Sequence, residues 1–182
     1  MYDALKSIIA ISQQRVIDPI PDELFLSNIN FFVKAYLINI CTYLESYLQE
    51  VAFQLAKRIN EKIVSASIPQ NYVHWRLATK NFKDENFNYS YLELAVDAKT
   101  ISANLSANIY KTIELFRNLG VDLTASADFQ ACKGLISPVV TKRNNIIHHN
   151  DNASDVTFHD LLAHIDNFIL YLSAINAVVP EN

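Results

Sequence analysis

Asp22 to Ile63 reads DELFLSNINFFVKAYLINICTYLESYLQEVAFQLAKRINEKI and contains neither glycine nor proline. A run of that length without a breaker predicts a long α-helix. Pro21 suits the first turn of such a helix, and Asp22 and Glu23 favour its positive end. If continuous, the helix would be roughly 60 Å long at ~1.5 Å per residue, more than an ordinary domain is wide. A bend, a break or a projecting end is therefore expected. From Phe31 to Leu44 the stretch is apolar on nearly every side, which predicts enclosure all round, by its own domain or by a second subunit. Lys34, Asn39, Thr42 and Glu45 interrupt the apolar run from Phe31 to Leu48, making it too polar and too short to span a bilayer. It reads as a core helix.

The flanking sequence extends the helical pattern. Residues 3–17 carry Leu5, Ile8, Ile9, Ile11, Val16 and Ile17 at helical spacing, and Pro19 and Pro21 stop that segment. Ser65–Gln70 forms a connector, with a short helix over Asn71–Thr79. The polar stretch 81–89, NFKDENFNY, reads as a loop. A second long helix is expected from Ser90 or Tyr91 through Ile109, Ile113 and Phe116, ended by Gly120. Another follows from Ala127 to His149. After a turn at 150–154, Thr157-Phe158-His159-Asp160 resembles a capping box that opens a last helix to about Val178.

Composition sets the outer bounds. The chain has 182 residues, 51% apolar and 19% charged, with only 2 glycines and 5 prolines, so it folds without the turn-rich loops that all-β and doubly wound architectures need. The expectation is a single all-α domain over residues 1–182, a bundle of about five to six helices around one long central helix. A net charge of −4 excludes a broadly basic nucleic-acid coat, though a local phosphate site needs only two or three donors. Cys41 and Cys132 sit in apolar contexts and read as reduced, buried thiols. Met1-Tyr2-Asp3 lacks the basic start of a signal peptide. Together these predict a cytoplasmic protein with no membrane partner.

Phe129 to His149 is the chemically unusual stretch. Phe129, Cys132, Leu135, Ile136, Val139, Val140, Ile146 and Ile147 paint one helical stripe, and Arg143 falls in the middle of it. A guanidinium cannot shed its proton, so a buried one demands a partner. Position alone favours a structural ion pair with a carboxylate of the long helix, Glu45 being the candidate. The residues that follow, Arg143-Asn144-Asn145-Ile146-Ile147-His148-His149-Asn150, add a second possibility: a rigid cation near a histidine at a helix end. Asn144 and His148 share a face. Arg143 lies about 140° from His148 at ~100° per residue, so one regular helix does not aim both at one atom. Fraying of the helix end, or a second copy of the helix, would.

R-N-x-x-x-H near the end of a late helix in an all-α domain resembles the HEPN superfamily. Arg143, Asn144 and His148 match that motif position by position. Glu45, in Tyr43-Leu44-Glu45-Ser46-Tyr47, is similar to the acidic residue many members carry on an earlier helix. The resemblance implies RNA cleavage without a metal or other cofactor, by a homodimer whose Arg–His motifs face each other, often as a toxin or defence effector. An antitoxin or another regulatory protein, such as a nucleotidyltransferase, is the implied partner. Some members have lost the chemistry and act as scaffolds.

The residue types suit that reaction. Attack of a 2′-hydroxyl on the adjacent phosphate needs a group that exchanges a proton near neutrality, as imidazole does. It also needs fixed positive charge against the developing phosphorane, as guanidinium supplies. Arg143 and His148 are the expected catalytic pair, with Asn144 orienting the phosphate or the imidazole. Lys142 and Lys133 would add local positive charge, and His149 is a secondary candidate at looser spacing.

Other patterns are weaker. His159-Asp160, with His148 and Asp166, resembles the ligand set of a metal-dependent HD phosphohydrolase. Asp160 is better explained by capping, and His159 and His164 by surface or packing roles. His74-Trp75-Arg76 could stack a base, but such a group is more often ordinary packing. Tyr36, Tyr43 and Tyr47 read as core or dimer contacts. Phosphate-loop, nucleophile-elbow and paired CxxC motifs do not occur. The alternative from another class is a non-catalytic helical interaction protein in which Arg143 is a structural ion-pair partner.

Overall fold

Pro19 and Pro21 interrupt the backbone bonding of the first helix, so α1 (Tyr2–Ile17) ends and α2 (Glu23–Ser27) begins on the Asp22 cap. The structure, a computed structural model, describes residues 1–77, 89–94 and 96–180. The long helix is broken once, near its start. At Asn28 the side-chain amide donates to the Leu24 carbonyl at 2.9 Å and the backbone leaves helical geometry, so α3 (Ile29–Ser65) starts afresh. α3 has 37 residues, about 55 Å at ~1.5 Å per residue. Its buried residues run from Val33 to Ala56. From Lys57 to Ser65 none is fully buried, but Ile59 still packs against the core, Arg58 donates to the Pro180 carbonyl and Asn60 accepts from the Leu94 amide. Within one chain α3 is not enclosed on all sides, because Phe31, Asn39, Thr42 and Ser46 are exposed.

α4 (Gln70–Leu77) follows the connector, and residues 78–79 and the predicted loop over 81–88 lie outside the described residues. The expected long helix from Ser90 is not formed. Residues 89–94 run beside the connector, with the Leu92 amide donating to the Ile68 carbonyl at 2.7 Å. Two shorter helices then appear, α5 (Ala98–Asn104) and α6 (Ile109–Asn118). Asp97 and Asn108 cap their first amides. Leu105 and Ala107 are buried between them, so the break is packed into the core. Gly120, at φ +82°, closes α6 in the left-handed conformation glycine tolerates.

α7 (Ala127–His149) and α8 (Phe158–Val178) keep their expected limits, and Thr157 and Asp160 form the reciprocal capping box. With α2 and the split of α5 from α6, the described residues form eight α-helices, more than expected, in an all-α bundle. α8 lies against α7, α1 and α3, and these four make the core, with α5 and α6 on the flank of α3. Among the described residues α8 is long and apolar enough to cross a membrane, with mean hydropathy 1.4 over its most apolar window. Here its Leu161, Ile165, Phe168 and Ile175 are buried, the position of a core helix.

Candidate active site

α7 carries the motif, and its ends are well defined. The Ser126 hydroxyl accepts from the Phe129 amide at 3.3 Å. Asn150 closes the other end at φ 51°, its amide donating to the Asn145 carbonyl. The helix therefore stays regular through His149 and does not fray. Phe129, Ile136, Val139, Val140 and Ile146 are buried. Leu135 and Ile147 are 50% and 46% exposed, contrary to their place in the predicted stripe. Leu135 lies on the flank of the arc, and Ile147 sits on the last turn, beyond the core.

Arg143 occupies the middle of the arc, as its register requires. Its Nη2 donates to Glu45 Oε2 at 3.2 Å and its Nη1 to Asn144 Oδ1 at 3.0 Å. Glu45 Oε1 accepts from the Ala107 amide at 2.9 Å. One carboxylate on α3 thus ties the α5–α6 connection to α7. The two side chains are 17% and 20% exposed, and Arg143 Nε is buried without a hydrogen-bond partner. Cys41, one turn before Glu45, is fully buried. Burial pushes its thiol up to about 12, against a smaller lowering by Arg143.

His148 is exposed, and its imidazole lies 6.5 Å from that of His149, centroid to centroid. On the regular helix it stands about 140° round from Arg143. One chain thus brings Arg143, Asn144 and Glu45 together and leaves His148, which shares the face of Asn144, turned away from Arg143.

The RiboL-PSP-HEPN family model matches residues 1–180. The chain belongs to this family. No curated protein and no solved structure matches it. The HEPN assignment accounts for the all-α fold, and the family is often, though not always, ribonucleolytic.

Other residues of this HEPN domain find different surroundings. Lys142 does not stand as free positive charge. It pairs with Asp151 at 3.1 Å and Asp155 at 2.8 Å, which raises its pKa and lowers those of both carboxyls. These pairs pin the α7–α8 turn, helped by Asn30 Oδ1 accepting from the Ala153 amide. Asp160 accepts from the Thr157 amide and hydroxyl, and Asp166 pairs with Lys6, so both HD-type carboxylates are engaged elsewhere. Among the described residues no group of three or more His, Cys, Asp and Glu comes together as a metal site. Tyr36 bonds Ser12, Tyr43 packs edge-on against Tyr2, and Tyr47 accepts from Asn176, all contacts within the chain. Trp75 is 69% exposed, with Arg76 over its ring and the Tyr72 ring 6.1 Å away, centroid to centroid.

The sequence reading missed a cleft between α6 and α7 that reaches Asn144. The available signal was polar spacing: Lys133, Ser137, Thr141, Asn144 and His148 fall within an arc of about 80° on α7.

Proposed function

We propose that this HEPN domain is a metal-independent endoribonuclease that acts as a homodimer. One observation carries the reading. Arg143 is held half-buried by Glu45 and Asn144 while His148 stands in solvent on another face of the same regular helix end. A single helix keeps the two groups apart, and a two-fold related copy supplies the missing half. In the proposed reaction the 2′-hydroxyl gives up its proton and its oxygen bonds to phosphorus. The bond from phosphorus to the 5′-oxygen breaks, and that oxygen takes a proton. The products are a 2′,3′-cyclic phosphate and a 5′-hydroxyl. His148 moves the proton, Arg143 stabilises the charge on the phosphorane, and Asn144 orients the guanidinium. Glu45 is the positioning residue behind Arg143, and His149 stands second to His148. The family resemblance supports a cytoplasmic toxin or defence role restrained by an antitoxin or a nucleotidyltransferase.

The test is cleavage of mixed RNAs in EDTA by wild type, Arg143→Ala and His148→Ala, with product ends analysed. Wild type should yield cyclic-phosphate ends, and each variant should lose ~10²–10⁴ in rate while remaining folded. The Arg143–Glu45 pair itself favours a second reading, a non-catalytic scaffold in which Arg143 joins α7 to α3. Inert wild type on diverse RNAs would select that reading. Equal activity in all three proteins would remove Arg143 and His148 from the site.

A further inference from the structure

The cleft between α6 and α7 adjoins the chemistry above through one residue, Asn144. Its volume is about 230 Å³. Ile109, Ile113 and Val140 give it an apolar floor, and Ser137, Thr141 and Asn144 give it a polar rim. Tyr110, 80% exposed, stands at its edge.

Three observations show hydrogen-bonding capacity left open along this wall. Asn144 Oδ1 is taken by Arg143, and its amide nitrogen has no partner among the described residues. The Thr141 hydroxyl donates to the Ser137 carbonyl at 2.9 Å, which leaves its oxygen able to accept. Pro138 has no N–H, so the Gly134 carbonyl lacks its usual helical donor. Gly134 itself is unexplained by packing. It sits inside a helix, where glycine is unfavourable, and a Cβ added there would meet nothing within 4 Å. A larger residue at 134 would project into the cleft. The α6 N-terminus does not make this an anion site, because Asn108 Oδ1 already accepts from the Tyr110 and Lys111 amides.

We infer that this cleft receives the base of one ribonucleotide beside the cleaved phosphate, so that cleavage depends on base identity. The inference rests on the ribonuclease reading. An apolar floor suits a base face, and a rim offering both donor and acceptor suits a base edge. Tyr110 is placed to stack at the mouth, and Lys133 contributes the cation that a flanking phosphate needs. Asn144 is shared: its oxygen steadies Arg143 and its nitrogen faces the base, so a matched base also orders the guanidinium.

The test titrates wild type, Gly134→Leu and Thr141→Val with each of the four ribonucleoside 3′-monophosphates, following backbone amides by NMR. Cleavage-site sequencing on mixed RNA runs in parallel. At least one nucleotide should saturate and shift amides of 108–113 and 133–144. Gly134→Leu should weaken that binding about tenfold or more, and Thr141→Val should change the preference among bases by roughly fivefold. Thermal melts establish that both variants are folded, and Thr141→Val carries the test if Gly134→Leu is not. Absence of saturable binding at the cleft, or equal affinity in wild type and folded variants, overturns the inference. Cleavage without base binding defeats the cleft and leaves the ribonuclease reading. Base binding without cleavage removes the ribonuclease reading, and with it the role in cleavage, and leaves the cleft as a nucleotide site alone.

Discussion

Arg143 and Glu45 meet at 3.2 Å with about a fifth of each side chain in contact with solvent. Solvent at that level screens the pair, so breaking it should cost less than the ~3–5 kcal/mol of a fully buried one. Glu45→Ala removes both the charge partner of Arg143 and the acceptor for the Ala107 amide. Glu45→Gln keeps an acceptor and drops the charge. We expect destabilisation of about 2–3 kcal/mol for Glu45→Ala and about 1–2 kcal/mol for Glu45→Gln by denaturant unfolding. Equal losses would show that the charge, not the amide bond, matters. Cys41 gives a second prediction. Burial raises its pKa from 9.0 to about 12, so the folded state keeps the proton that the unfolded state releases. Stability is therefore intact below pH 9 and falls as pH rises from 9 towards 12. Burial raises the Tyr2 pKa too, in the same sense. Cys41→Ser should flatten the alkaline fall in a pH series of melts.

At the scale of elements, the turn between α7 and α8 holds the end of α7 that bears His148. Lys142 grips Asp151 and Asp155, and Lys34 donates to the carbonyl and side chain of Asn150. Hydrogen bonding to Lys142 lowers both aspartate pKa values. Their contribution is present above the ordinary carboxylate range and is lost as pH falls through the lowered values. The protection of the Ala153 amide, its exchange rate compared with the intrinsic rate at the same pH, should thus fall on acidification towards pH 3, while the amides of α8 stay protected. In Lys142→Met the Ala153 amide should exchange fast at neutral pH as well. An unchanged rate there would assign the turn to the Asn30 bond instead.

For the whole molecule, the proposed site predicts a test of assembly. If Arg143 of one copy serves His148 of the other, Arg143→Ala and His148→Ala chains are each inert as homodimers. Mixed and re-equilibrated, half the dimers are hybrids, and each hybrid has one intact site of two. Activity should recover to about one quarter of wild type. Light scattering should give a dimer for all three chains. Failure of the mixture to recover, with hybrids shown to form, would place both groups of each site on one chain.

Much of this was legible in the sequence because it follows from local or near-local chemistry. The limits of α7 and α8, the Asp160 capping box and the Gly120 stop follow from residue types at short spacing. The partnership of Arg143 with Glu45 followed from a rule about burial, since a cation in the middle of an apolar arc needs a carboxylate. What the tertiary structure decided depended on groups far apart in the chain. The expected helix from Ser90 gave way to α5 and α6 because Asp97 and Asn108 offered caps and Glu45, on α3, took the freed Ala107 amide. Lys142 became a clamp because the turn folded Asp151 and Asp155 back onto it. The cleft exists only where α6 meets α7, and no spacing along one segment encodes the distance between two helices.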